Sequence, residues 1–249
     1  MKIATWNVAR RRAWETVLGE ETFPDVILLQ EVLNPSSLTL PDLFVLGQEI
    51  NERGRHESWG NAIVSKYPLE LVTLQSEYEG SLLTAVVSKP DGQRLGLVNL
   101  YGLLEASPLR VETKIVHFGL HRMLSDSGFW LAGLEEPIVD GFVVAGDLNK
   151  DRAMDGGTGF KSGRNIASNL LNRFDDYGLI EFQEEGDKTF RHSSSKSMWK
   201  IDHLFVSEKL ASRATAIDLT SLNPDFTNSD HMPLGAELNW DLRDKNGSN

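Results

Sequence analysis

Two apolar runs of strand length, Asp25–Gln30 (DVILLQ) and Gly141–Ala145 (GFVVA), constrain this chain more than any other feature. A strand with one wetted face alternates apolar and polar residues, whereas a near-continuous apolar run fits a strand covered on both faces. Such strands need packed layers on each side. Lys2–Trp6, Ala62–Ser65, Leu69–Leu74, Leu82–Ser88, Arg94–Leu100, Ile201–Val206 and Leu234–Leu238 read as further strands. Between them lie helical patterns, so the fold class is α/β. One helix is expected to start at Ser107-Pro108, an N-cap followed by proline, and to carry Ile115, Val116, Leu120, Met123 and Leu124 before closing at Ser125–Gly128. A second spans Asn165–Tyr177, with Ile166, Leu170, Phe174 and Tyr177 on one face and Gly178 as terminator. No linker or repeat interrupts the pattern, so one domain over residues 1–240 is expected, with a polar tail at 241–249.

Composition removes whole classes of function. The 249 residues are 40% hydrophobic and 24% charged, which excludes a disordered or collagen-like chain. Cysteine is absent, which excludes a thiol nucleophile, disulfides and Cys-based metal sites. No apolar run reaches the roughly 18 residues of a membrane span, and Met1–Asn7 turns polar too soon for a signal peptide, so a cytoplasmic protein is expected. The net charge of −11 argues against a surface that coats nucleic acid or anionic membrane indiscriminately.

The chemistry sits at strand ends. Asn7 ends the first strand, Gln30-Glu31 the second, and Asp147 and Asn149 follow GFVVAG. Asp202 interrupts KIDHLFVS, and Ser229-Asp230-His231 directly precedes the last strand. An Asp or Asn in such a place is usually a turn-former. Five such places, four with carboxylates and one with a histidine, are harder to assign to turns, and Glu31 is a poor turn residue. Glu31, Asp147, Asn149 and Asp230 offer hard oxygen donors of the kind that suit Mg²⁺ or Mn²⁺ rather than zinc. Asp202 is a candidate to orient His231.

Seven words occur in order along the chain: Thr5-Trp6-Asn7, Leu29-Gln30-Glu31, Trp59 to Pro68 (WGNAIVSKYP), Leu97 to Tyr101 (LVNLY), Gly146 to Asn149 (GDLN), Ile201-Asp202-His203 and Ser229-Asp230-His231. Together they resemble the endonuclease/exonuclease/phosphatase superfamily. The resemblance implies a four-layer α/β sandwich, two packed mixed sheets flanked by helices. It implies a divalent-metal hydrolase of phosphodiesters, with Asn7, Glu31 and Asp230 at the metal. Asp147 would position or deprotonate the attacking water, Asn149 would orient it, and His231 held by Asp202 would stabilise charge on the phosphate. Tyr101 stands where many members carry a histidine; there it is similar to the exonuclease III-like branch, whose tyrosine contacts the phosphate. Val32-Leu33 and Ala9-Arg10-Arg11-Arg12 depart from that branch, which weighs against an abasic-site specialist.

The expected function is therefore a Mg²⁺- or Mn²⁺-dependent nuclease that acts on DNA in the first place, with RNA as the second substrate, as a monomer with no membrane partner. The alternatives are a phosphatase or phosphodiesterase acting on a small-molecule or lipid head-group phosphate, and a catalytically silent binding module. Residues 8–12, 150–164 and 188–200 carry eleven Lys and Arg against two acids, so the motif-bearing face is expected to be locally basic. Arg10, Arg12, Asn61, Arg164, Arg191 and Lys200 are the candidate substrate contacts. His117 and His121 are spaced to share a metal but lack a third ligand, and Gly156–Gly159 suits a substrate-side loop. Trp59 and Trp199 can stack on a base or pack in the core.

Overall fold

The computed structural model describes residues 1–20, 22–52, 55–102, 105–106, 115–116, 118–156, 165–182, 187–194 and 197–239. The strands of the first half are β1 (Lys2–Asn7), β2 (Val26–Leu33), β3 (Phe44–Glu52), β4 (Arg55–Ser65), β5 (Leu69–Leu71), β6 (Leu82–Ser88) and β7 (Arg94–Tyr101). After the two-residue β8 (Glu105–Ala106) and β9 (Ile115–Val116) come β10 (Gly141–Asp147), β11 (Leu179–Glu181), β12 (Phe190–Arg191) and β13 (Met198–Trp199). The last are β14 (Asp202–Ser207), β15 (Ala214–Ile217) and β16 (Leu234–Leu238). The helices are α1 (Phe118–Asp126), α2 (Gly128–Leu131), α3 (Ile166–Asp175) and α4 (Glu208–Ala211).

Two six-stranded mixed sheets form, ordered β15-β16-β1-β2-β4-β3 and β11-β14-β10-β7-β6-β5. They pack face to face over Ile3, Val26, Leu28, Ile63, Leu83, Ala85, Leu97, Val143, Ala145 and Leu204. The outer face of the second sheet buries Val86, Val98, Val144 and Phe205 under Leu120, Met123 and Leu124 of α1 and Leu170, Leu171 and Phe174 of α3. Trp14, Val17, Phe23 and Leu222, on or beside short 3-10 turns, cover the outer face of the first sheet. Both apolar runs of the sequence are thus covered on two sides, as their patterning requires, and the α/β sandwich with flanking helices is present.

One sequence expectation is corrected here. The first helix does not include Ile115-Val116, whose backbone pairs with Glu105–Ala106; α1 begins at Phe118. Consecutive β-branched residues favour extended backbone, which overrides their helical spacing. Its expected start at Ser107-Pro108 lies outside the described residues, as do His117, the glycines 157 and 159, Arg164 and the tail. The second helix stands, with Ala167, Leu170, Leu171 and Phe174 buried. Its N-terminus is capped by Asp155, whose carboxylate accepts from the Ala167 and Ser168 amides at 2.9 and 2.7 Å.

Strand alternation carries the interior from apolar to polar at one end of the sandwich. On β1 the inward positions run Ile3, Thr5, Asn7; on β7, Leu95, Leu97, Asn99, Tyr101; on β10, Val143, Ala145, Asp147. Parallel β7/β10 pairing sets Tyr101 beside Asp147, and antiparallel β10/β14 pairing sets Asp147 beside Asp202. Gly146 makes this register possible. Its φ of +146° and a Cβ that would meet the Leu100 carbonyl oxygen at 1.9 Å leave room for no side chain. Gly146→Ala is expected to cost about 2–4 kcal/mol of stability, a large effect of the backbone-strain kind, measured as a lowered urea midpoint at unchanged slope.

Candidate active site

A β-bulge places the first acid. Between Leu29 and Val32 the β2/β4 register slips, so Gln30 and Glu31 oppose one residue of β4. Glu31 takes the left-handed conformation, φ 54°, at a cost of roughly 1–2 kcal/mol. The slip leaves Gln30 facing inward, where its Nε2 donates to Asn99 Oδ1 at 2.7 Å and to Thr5 Oγ1 at 3.0 Å. Glu31 turns into a cavity of about 380 Å³ lined also by Ala9, Arg10, Trp59, Tyr101, Asp147, Asn149, Phe190, Ile201, Asp230 and His231.

Asn7, fully buried, ties the acids together. Its Nδ2 donates to Glu31 Oε1 at 3.1 Å and to Asp147 Oδ2 at 2.9 Å, while its Oδ1 accepts from the Ala9 amide at 2.8 Å. The Tyr101 hydroxyl donates to Glu31 Oε1 at 3.0 Å, and Arg10 Nε lies 3.0 Å from Glu31 Oε2. Burial, then the charges of Glu31 and Asp147, push the Tyr101 phenol far above its ordinary range, so it remains a hydrogen-bond donor. Asp147 Oδ1 accepts from the Asn149 amide at 2.8 Å, a turn that Asn149 closes in the left-handed conformation.

Opposite Asp147, His231 Nδ1 lies 2.9 and 3.0 Å from the two Asp202 oxygens. The turn before β16 is held by buried groups: Asn223 Nδ2 and Trp6 Nε1 both donate to the His231 carbonyl, at 2.6 and 2.9 Å. Ser229 Oγ donates to the Asn7 carbonyl at 2.7 Å and accepts from the His231 amide at 3.1 Å, locking the turn to the end of β1. Thr189 Oγ1 accepts from the Asp202 amide at 3.1 Å, and the Phe190 ring packs 4.7 Å from the His231 ring. Burial lowers the pKa of His231, but the charge and hydrogen bond of Asp202, followed by the charges of Asp147 and Asp230, raise it to about 9. Burial raises Asp147 to about 7, against the lowering effect of His231, with Asp202 adding to the rise.

Potential ligand atoms of Asp147, Asp202 and His231 lie within 4.8 Å of one another. His231 Nδ1 is already engaged by Asp202, so this trio is better described as a hydrogen-bonded charge network than as a ligand set. One further observation in the cavity suits a cation. Asp230 Oδ1 is buried with no hydrogen-bond partner among the described residues, and Asp230 shares the cavity wall with Glu31. A hard cation would satisfy that oxygen.

Most of the residues singled out from sequence converge here: Asn7, Arg10, Glu31, Tyr101, Asp147, Asn149, Asp202, Asp230 and His231. The substrate contacts divide. Asn61 is fully buried and donates to the Ser81 and Asn99 carbonyls at 3.1 and 3.3 Å, because its position on β4 faces the interior. Lys200 is buried and its Nζ meets Glu181 at 2.9 Å, and Arg12 Nε meets Glu15 at 2.7 Å. Neither lines the cavity, so the locally basic face is weaker than its charge count. Arg191 lies beside an adjoining cavity. Trp59 is a packing residue, edge-on to Tyr101 at 5.4 Å and under the Arg10 guanidinium at 5.4 Å. His121 contacts Arg173. Phe190, Ile201, Asn223, Thr189 and Trp6 escaped sequence reading; apart from Ile201 and Trp6, which lie inside recognised words, nothing in their neighbourhood marks them.

A two-sheet sandwich with acids, amides and an Asp-held histidine at the mouth of the inter-sheet cleft is the architecture of a family of hydrolases. Residues 4–231 match the sequence profile of the Endonuclease/Exonuclease/phosphatase family, and the chain belongs to that family. No curated protein sequence matches the chain. Among solved structures it is similar to the AP endonuclease LMAP from Leishmania major, with TM-score 0.69 and 21% identity over 94% of this chain and 86% of that one. It is similar to the 3'-5' exonuclease NExo from Neisseria meningitidis, with TM-score 0.65 and 20% identity over 96% and 100% of the two chains. The Xenopus laevis APE2 catalytic domain superposes with TM-score 0.68 and 18% identity over 96% and 91%. At these identities the likeness is one of fold. No helix among the described residues is long and apolar enough to cross a membrane.

Asp202→Asn is expected to lower the His231 midpoint from about 9, since burial is then opposed only by the charges of Asp147 and Asp230. An NMR titration of the imidazole protons in metal-free protein reads this directly. A raised histidine contributes stability that is fully present below about pH 6.5 and lost as pH rises through about 9. That loss between the two pH values, followed by urea unfolding, should shrink in the variant.

Proposed function

We propose that the chain is a divalent-metal-dependent phosphodiesterase whose substrate is a nucleic acid, DNA in the first place, with RNA as the nearest alternative. The observation that carries the reading is the Asp147 carboxylate, pinned by Asn7 and Asn149 and facing a histidine that Asp202 holds. In this reading Glu31 and Asp230, with Asn7 beside them, hold Mg²⁺ or Mn²⁺. The ion supplies charge neutralisation at the phosphate.

The protein's own groups do the rest. Asp147, its pKa near 7, accepts a proton from the attacking water, and Asn149 keeps that carboxylate aimed. His231 stays protonated below about pH 9 and donates to a phosphate oxygen as charge develops there. Tyr101 donates its one hydroxyl proton to Glu31 and so keeps that carboxylate oriented, and Phe190 and Ile201 shield one wall from water. DNA as substrate draws support from the names of the solved relatives, which include the 3' phosphatase NExo bound to product DNA hairpin. That name also keeps phosphomonoester hydrolysis open as a second reading. A cytoplasmic monomer completes the proposal.

The test is one panel with Mg²⁺ or Mn²⁺: plasmid, abasic duplex, single-stranded DNA, RNA and bis(p-nitrophenyl) phosphate. Cleavage of at least one substrate is expected, abolished by EDTA, with Asp147→Ala and His231→Ala each lower by about 10²–10⁴-fold in kcat. A parent inert on every substrate, or variants that keep full activity, sinks the reading.

A further inference from the structure

A second cavity of about 450 Å³ adjoins the first and shares Asp230 with it; its other walls are Arg11, Arg191, His192, Ser193 and Phe226. Its chemistry differs from that of the catalytic cavity. Among the described residues, Arg10 and Arg12 are paired with acids, but Arg11 and Arg191 have no carboxylate partner. Each is tethered instead to a backbone carbonyl of the same loop. Arg11 Nη1 donates to Thr227 at 3.3 Å and Arg191 Nη2 to Asp225 at 2.7 Å. A guanidinium has five N–H donors in a planar fork, so most of each fork is left for a ligand.

The loop that receives these bonds is itself unusual. Asp225 and Phe226 both lie in the left-handed region, φ 51° and 59°, which a bulky aromatic rarely adopts. Arg191 stacks on the Phe226 ring at 4.5 Å, so strain in the loop is matched by a rigidly placed guanidinium. His192, whose Nδ1 accepts from the Ser194 amide at 3.3 Å, also lines the cavity. In a chain of net charge −11, a cavity in which two arginines without a carboxylate partner among the described residues outnumber its single acid, Asp230, marks an anion site.

We propose that this cavity is a phosphate subsite, which takes a phosphate neighbouring the diester under attack on the same nucleic-acid strand. The inference rests on the hydrolase reading for what occupies the first cavity. It adds that the enzyme discriminates strands of two or more phosphates from isolated phosphate esters, and that Arg11 and Arg191 are the residues that do so.

The experiment measures binding of single-stranded deoxyoligonucleotides by fluorescence anisotropy, in Mg²⁺, on an Asp147→Asn background. One phosphate at a time is replaced by a neutral methylphosphonate. Besides any effect at the scissile position, one adjacent position is expected to weaken Kd about tenfold, the size of a lost charge-assisted contact. Arg11→Met and Arg191→Met, added to that background, should weaken the unmodified strand by a similar factor, flatten the salt dependence and become insensitive to the adjacent substitution. Thermal melting checks that the variants fold. If Arg191→Met does not, Arg11→Met carries the same test. Equal sensitivity in parent and variants, no sensitive adjacent position, or no binding overturns the subsite. Hydrolysis of bis(p-nitrophenyl) phosphate by the unmutated enzyme reports on the hydrolase reading separately, because that ester has one phosphate.

Discussion

The two sheets are joined at their polar end by buried amides, and the site depends on that join. Asn7 on β1 reaches across to Asp147 on β10, and Gln30 on β2 reaches across to Asn99 on β7. Such groups would be costly to bury unpaired; paired, they set one register and one spacing between sheets. Because Asn7 also holds Glu31, the acids from both sheets occupy fixed positions on either side of one cleft. A stretch of ordinary apolar core would have closed the cleft without fixing where its rim carboxylates stand.

Electrostatics then divides the cleft. On one side the Asp202–His231 pair and Asp147 form a network in which burial alone would discharge both His231 and Asp147. Mutual attraction keeps the imidazole charged and leaves Asp147 poised near neutrality. In the same cavity Glu31, held by Tyr101, Arg10 and Asn7, shares the wall with an Asp230 oxygen that has no hydrogen-bond partner among the described residues. Beyond Asp230 the lining changes to the guanidinium groups of Arg11 and Arg191. A phosphate chain laid along these surfaces would meet groups of different charge in succession.

Local order is a poor guide to some of these assignments. Asn61, Lys200 and Arg12 stand near or within motif words, and reasoning by proximity makes them substrate contacts. Strand parity buries Asn61, a neighbouring Glu181 neutralises Lys200, and Glu15 takes Arg12. Arg11, between two arginines in sequence, is the one that opens onto the second cavity. The helical reading of Ile115-Val116 failed because apolar spacing alone does not tell a helix from a short ladder, here with Glu105–Ala106 a few residues upstream.

The amino-acid sequence by itself determined the layered α/β class, through apolar runs such as DVILLQ that only a doubly covered strand can accommodate. It also determined which side chains could do chemistry, because hard oxygen donors and a histidine recur at strand ends in a recognisable order. Tertiary structure alone decided which of them meet. The bulge that turns Glu31, the cross-sheet reach of Asn7 and the clamp of Asn223, Trp6 and Ser229 on the His231 turn are contacts between distant segments. Such contacts depend on the register and packing of whole sheets, and no local pattern of residues encodes them.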